Sequence, residues 1–246
     1  MGLKGKLKRE NMASTIPVDA PAYHEKPFYY KRAQWFQFTY ETEAELAAEL
    51  IPEPLSLPDT PTASLIFADY TWSSLGGYRE VVQLLNVKYG DDELLYTTYL
   101  FLDQDLPILA GREVYGFPKQ KAYIAFTEQD DIIGMYAERP KGIRICFGVM
   151  RKEKIMDPLP DGSVMKACSL RVIPSPEKDK KHSLVELIQT DSILNSVEMW
   201  SGTGNCVYTG ASIFDPWHKL PVRKMLNCIH YTFDGTLSYG KVIETL

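Results

Sequence analysis

Residues 34–40, QWFQFTY, constrain this chain more than any other stretch. In an extended backbone Phe36, Phe38 and Tyr40 share one face, while Trp35, Gln37 and Thr39 share the other. A helix would scatter these aromatics around its circumference; a strand sorts them onto two surfaces. Comparable strand-favouring runs recur at 63–72, 78–87, 93–102, 122–127, 132–137, 144–152, 165–173 and 184–190, and 229–237 closes the series. Several separators have turn chemistry, namely residues 73–77, Tyr89-Gly90-Asp91-Asp92 and Glu128-Gln129-Asp130-Asp131. The charged segment 175–182 contains Pro176 and is expected to be an exposed loop. Two short helices are expected. One follows the capping-box spacing of Thr42 and Glu45, with Leu46 and Leu50 on one face and Pro52 and Pro54 ending it. The other lies behind Pro221, where Val222, Met225, Leu226 and Ile229 have helical spacing. The pattern as a whole predicts an α+β fold that is predominantly antiparallel β with few short helices.

The length of 246 residues suffices for one domain with a substantial core. No repeat or linker divides it. Residues 1–20, which include the basic run from Lys4 to Arg9, are expected to form a mobile leader, with Met12 as an alternative start. Residues 21–246 are then a single domain. A formal net charge of −5 argues against nucleic acid as a partner. No apolar run approaches the roughly 20 residues of a membrane-spanning helix, and the basic N-terminus lacks a following apolar signal segment. Cys146, Cys168, Cys206 and Cys228 are widely spaced, as are His24, His182, His218 and His230, so neither set has zinc-ligand spacing. No glycine-rich phosphate loop follows a strand. No metal, nucleotide, flavin or other cofactor is therefore expected, and a reducing, cytoplasmic setting is the default.

One segment carries chemistry. From Gly111 to Ala122 a lysine, Lys119, sits directly behind the Gly116-Phe117-Pro118 turn among Val114, Tyr115, Phe117, Ala122 and Tyr123. Gly116 permits a sharp bend, and Pro118 fixes its own φ while pushing Phe117 toward an extended conformation. Water solvates an ammonium strongly, so apolar surroundings favour the neutral amine that attacks a carbonyl. From spacing alone, an exposed lysine at a strand end is the commoner reading of such a residue.

The wider pattern shifts that balance. Gly111-Arg112-Glu113 followed six residues later by Lys119 resembles the signature of the acetoacetate decarboxylase family. Arg32 before an aromatic strand, Pro52-Glu53-Pro54, Leu75-Gly76-Gly77-Tyr78-Arg79-Glu80, Trp200-Ser201-Gly202 and Leu220-Pro221-Val222 extend the similarity over about residues 25–245.

The resemblance implies a cone-like β-barrel with a flanking sheet, its interior holding the lysine. It implies that Lys119 forms a Schiff base; this family is itself the usual example of a lysine so activated. Glu80 matches the family's active-site glutamate, and Arg32 an arginine that pairs with it or holds the substrate carboxylate. Phe117 and Gln120 are expected to line the substrate site. Arg112 and Glu113 are expected to pair structurally. Two departures stand out: Gln120 occupies the place of a second lysine, and Leu65 that of a second acid. Lys121 is expected to point its amine elsewhere.

The reaction implied is decarboxylation of a β-keto acid, with acetoacetate giving acetone and CO2, in a homo-oligomer without cofactor. Gln120 and Leu65 keep open an aldol condensation and dehydration of pyruvate with an aldehyde. A barrel that merely binds a small acid is the third reading.

Overall fold

Both faces of the aromatic stretch are buried, and the architecture follows from that. In the computed structural model, which describes residues 2–246, the stretch belongs to strand β1 (Phe28–Glu41). A one-turn helix α1 (Ala44–Ala48) leads to β2 (Thr62–Tyr70) and the short β3 (Trp72–Ser73). The hairpin of β4 (Tyr78–Tyr89) and β5 (Asp92–Leu102) follows, then helix α2 (Asp105–Ala110), a wider helical turn over Gly111–Tyr115 and the short β6 (Lys119–Lys121). A meander of β7 (Tyr123–Gln129), β8 (Ile132–Glu138) and β9 (Arg144–Met156) comes next. The chain ends with β10 (Ser163–Pro174), β11 (His182–Tyr208), β12 (Lys224–Leu237) and β13 (Lys241–Thr245).

The strands β10, β5, β4, β2, β1, β12 and β11 are successive neighbours, and β11 pairs back onto β10. This closes a ring of seven strands, antiparallel throughout except where β10 meets β5. Closure satisfies the backbone of each ring strand on both sides and leaves no sheet edge within the ring. Strand β11 is long enough to serve two structures. Its first part belongs to the ring; its second part pairs with β9, which carries β8 and β7 as a flanking sheet. The strand bends at a bulge between Asn195 and Glu198, where Ser196 has a φ of 50° and donates its N–H to Asp161.

Strand alternation sorts the core in two. Trp35, Ile66, Ala68, Val82, Leu100 and Phe233 point inside the ring. Phe36, Phe38, Tyr40, Leu65, Phe67 and Met150 fill the space between ring and flanking sheet. A strand buried on both faces reads as a continuous apolar run, as β2 does.

Two expectations are corrected here. Residues 222–229 form no helix, since Lys224–Leu237 is strand β12. Its register with β1 jumps from Thr39↔Asn227 to Tyr40↔Met225, leaving Leu226 as the extra residue of a bulge. That extra residue breaks the period of two and imitates helical spacing. Nor does Thr42 cap α1. Its N–H continues β1 by bonding the Pro61 carbonyl, Glu43 takes the cap position without a side-chain bond, and the Thr42 hydroxyl has no partner. The sequence reading also stopped β11 too early, because polar and glycine residues after 190 hid its continuation.

His230 on β12 marks the boundary between the two cores. Its ring lies 4.4 Å from that of Phe36, Nε2 donates to Gln34 Oε1 at 3.2 Å, and Nδ1 has no partner. Burial pushes its pKa down to about 4, Lys152 adding to the effect. Below its ordinary value of about 6.5 the unfolded chain takes up a proton that the folded one refuses, so stability falls with falling pH across that window. Urea unfolding between pH 7 and 4.5 should show His230→Phe losing less stability than the parent, by up to about 3 kcal/mol. Parallel losses in the two proteins would contradict the assignment.

Candidate active site

The Lys119 loop is built by backbone contacts. The helical segment ends at Gly116, whose φ is 73°. A Cβ there would stand 2.5 Å from Arg171 Cα, so both conformation and space require glycine. The Phe117 N–H then returns to the Gly111 carbonyl at 3.1 Å, and the Lys119 N–H to the Phe117 carbonyl at 2.7 Å. Arg112 Nη1 donates to the Lys119 carbonyl at 3.1 Å, and β6 runs parallel to β5 with Lys119 beside Leu100. The lysine stem crosses Gly111 on its way inward: a Cβ on Gly111 would lie 2.5 Å from Lys119 Cδ and 2.7 Å from Cε.

Inside the ring the stem reaches a cavity of about 90 Å3 lined by residues of all seven ring strands together with Phe117 and Lys119. Lys119 Nζ stands 3.1 Å from Glu80 Oε2, the residues being 5% and 7% exposed. That oxygen makes no aligned hydrogen bond, so the contact is a close charge pair with acceptor capacity left over. Nζ lies 5.6 Å from the Tyr78 ring centre and 5.5 Å from that of Phe117. Tyr30, Tyr70 and Tyr78 complete this end of the cavity. Burial, with the negative charge of Glu80, holds all three phenols above their ordinary pKa, so they remain protonated donors.

The structure thus brings together Lys119, Glu80 and Phe117, and leaves two expected residues outside. Arg32 is exposed on a bulge of β1 between Tyr30 and Ala33, with its backbone N–H bonded to Asp234; it does not line the cavity. The neighbouring Ala33 is the inward, fully buried residue. Gln120 is exposed because it alternates with Lys119 along β6. Leu65 faces the flanking sheet, while Ile66, Ala68 and Tyr70 of the same strand face the cavity, so Leu65 does not make the pocket more apolar. Arg112 and Glu113 do not pair with each other. Glu113 Oε2 instead accepts bonds from Thr15 at 2.8 Å and Tyr23 at 2.7 Å, tying the N-terminal segment to the lysine loop from residue 15 onward. Lys121 does turn away, to Asp105 at 2.8 Å.

Residues 15–246 match the family described as Acetoacetate decarboxylase (ADC). The chain belongs to the acetoacetate decarboxylase family. Among curated relatives it is similar to acetoacetate decarboxylase 1 of Bradyrhizobium diazoefficiens, at 28% identity over 94% of this chain and 92% of that one. It also resembles Decarboxylase DEC1 of Cochliobolus heterostrophus, at 25% identity over 94% of each chain. Among solved structures it shares the fold of an acetoacetate decarboxylase with a TM-score of 0.86, at 22% identity and covering 97% and 99% of the two chains. The enduracididine biosynthesis enzyme MppR, solved with pyruvate, has the same fold at a TM-score of 0.76 and 15% identity over 95% and 98%.

Within this acetoacetate decarboxylase fold the sequence reading missed the three tyrosines and Trp35. Period-two alternation was the available signal, since Tyr78 shares a face with Glu80 on β4 and Tyr70 with Ala68 on β2. Among the described residues no group of three or more His, Cys, Asp or Glu side chains is arranged to hold a metal ion, and no helix is long and apolar enough to cross a membrane.

Gly111→Ala should leave the fold intact, because the atoms it meets belong to a flexible stem, yet displace the Lys119 amine. A displacement near 1 Å costs on the order of 100-fold in rate. Borohydride trapping with a ketone, followed over time by mass spectrometry, should show that slowing alongside an unchanged circular dichroism spectrum; trapping at the parental rate would refute the packing argument.

Proposed function

We propose that this member of the acetoacetate decarboxylase family decarboxylates a small β-keto acid through a Schiff base on Lys119, acetoacetate giving acetone and CO2. The observation that carries the reading is the Lys119–Glu80 pair, 3.1 Å apart on the wall of a largely apolar cavity. An amine that must attack a carbonyl has to shed its proton, and Glu80 stands at transfer distance with no other partner.

The neutral amine adds to the ketone carbon, giving a carbinolamine. Glu80 returns the proton to the departing hydroxyl, water leaves, and a protonated imine remains. The bond between the α-carbon and the carboxylate then breaks, its electron pair flowing into the iminium. CO2 leaves an enamine. Protonation at carbon and addition of water release acetone and restore the amine, so the net reaction consumes one proton.

The features that favoured aldol chemistry, Gln120 and Leu65, both face away from the cavity. Decarboxylation therefore remains the better supported reaction.

Borohydride added during turnover of acetoacetate should fix a propyl-type adduct on Lys119, and Lys119→Ala should form none. Glu80→Gln should lower turnover by about 100- to 10,000-fold, the usual contribution of a positioned acid–base group. Acetone production by Lys119→Ala at the parental rate would end the Schiff-base reading.

A further inference from the structure

With Arg32 outside, the cavity needs another group to hold a substrate carboxylate. Among the described residues lining it, Lys119 is the one cation, and it is consumed in the imine. The remaining donors are neutral.

The Thr190 hydroxyl on the cavity wall has no partner, and two phenols have a proton to spare. Tyr70 Oη accepts a hydrogen bond from Trp35 Nε1 at 2.8 Å, and Tyr30 Oη accepts one from Tyr78 at 3.3 Å. In both cases the phenol is the acceptor, and among the described residues neither phenol's own proton has an acceptor. The Tyr30 and Tyr70 ring centres are 4.8 Å apart, and Tyr70 and Tyr78 are 4.7 Å apart, so the hydroxyls cluster on one wall. All three residues are buried and line the cavity with Glu80 and Lys119. A buried O–H without an acceptor is costly, and a bound carboxylate oxygen is what such a donor suits best. The incoming bonds matter as well: Trp35 and Tyr78 each occupy a lone pair of one phenol and leave its proton to be donated.

We propose that the hydroxyls of Tyr30 and Tyr70 form the carboxylate subsite, a pair of neutral donors in place of an arginine. The subsite selects short keto acids over plain ketones. It also holds the carboxylate more loosely than a guanidinium would, which leaves less binding energy to undo when CO2 departs. This inference rests on the Schiff-base reading for the substrate's orientation, although the subsite itself can be tested separately.

Binding of butyrate, a four-carbon carboxylate that cannot form an imine, should be measured by calorimetry on the parent, Tyr30→Phe and Tyr70→Phe. Each variant loses only an oxygen, and each should bind butyrate at least about tenfold more weakly, as expected for a hydrogen bond to a charged group. Borohydride trapping with acetone, which has no carboxylate, should proceed equally well in all three proteins. Butyrate binding within twofold of the parent in both variants would overturn the subsite. So would an equal loss of acetone trapping, which would place the phenols on the ketone oxygen or in a purely structural role. Absence of any adduct in the parent sinks the Schiff-base reading alone, and the butyrate measurement then still decides the subsite.

Discussion

An ammonium and a carboxylate enclosed by an apolar barrel set the terms for the rest of this molecule. Each ion loses several kcal/mol of hydration on burial, and their mutual attraction repays that only with close geometry and further hydrogen bonds. Here the approach is close, at 3.1 Å, but Glu80 Oε2 has no aligned hydrogen bond to complete it. Such a pair contributes little to stability. The loop must therefore be held by other means. Gly111 makes room for the stem, Arg112 grips the Lys119 carbonyl, and Glu113 is fastened to Thr15 and Tyr23. These contacts fix the backbone and leave the amine itself free to react.

Stability comes instead from the way β1 and its neighbours are covered twice. One face of these strands forms the cavity wall; the other packs against the sheet that β11 continues into. The same strands thus anchor the molecule with Phe36, Phe38 and Phe67 while presenting Trp35, Ala68 and Tyr70 to the site. A change on the outer face is transmitted to the inner one through shared backbone, because a closed ring has no free edge along which to relax.

The alternation of side chains made the strands legible from sequence, and it is also where reading by resemblance went astray. Lys119, Glu80 and Phe117 were drawn from local motifs, and the structure sets all three at the cavity. Arg32 was placed inside on the strength of its neighbourhood, yet one position along a strand reverses a side chain's direction, and the bulge at Lys31 and Arg32 decides the outcome. No sequence pattern announces that bulge, just as none announced the one at Leu226. Leu65 and Gln120 lie off the cavity for the same reason, being adjacent in sequence to cavity residues and opposite them in direction. The tyrosine wall was missed for a different cause, although alternation marks Tyr70 and Tyr78 singly. Its members come from three strands that only the closed register brings together.

The fate of an enamine depends on what reaches its carbon first. A proton completes decarboxylation; an aldehyde would begin an aldol addition. A second substrate needs space beside the first, and the cavity here is walled largely by aromatic and aliphatic side chains. Groups that could exchange a proton, by contrast, are already present, since Glu80 lies 3.1 Å from the lysine nitrogen and the Tyr78 ring centre 5.6 Å from it. In the reaction proposed above, proximity favours protonation. On the proposed mechanism, the groups beside the lysine thus favour protonation of the intermediate.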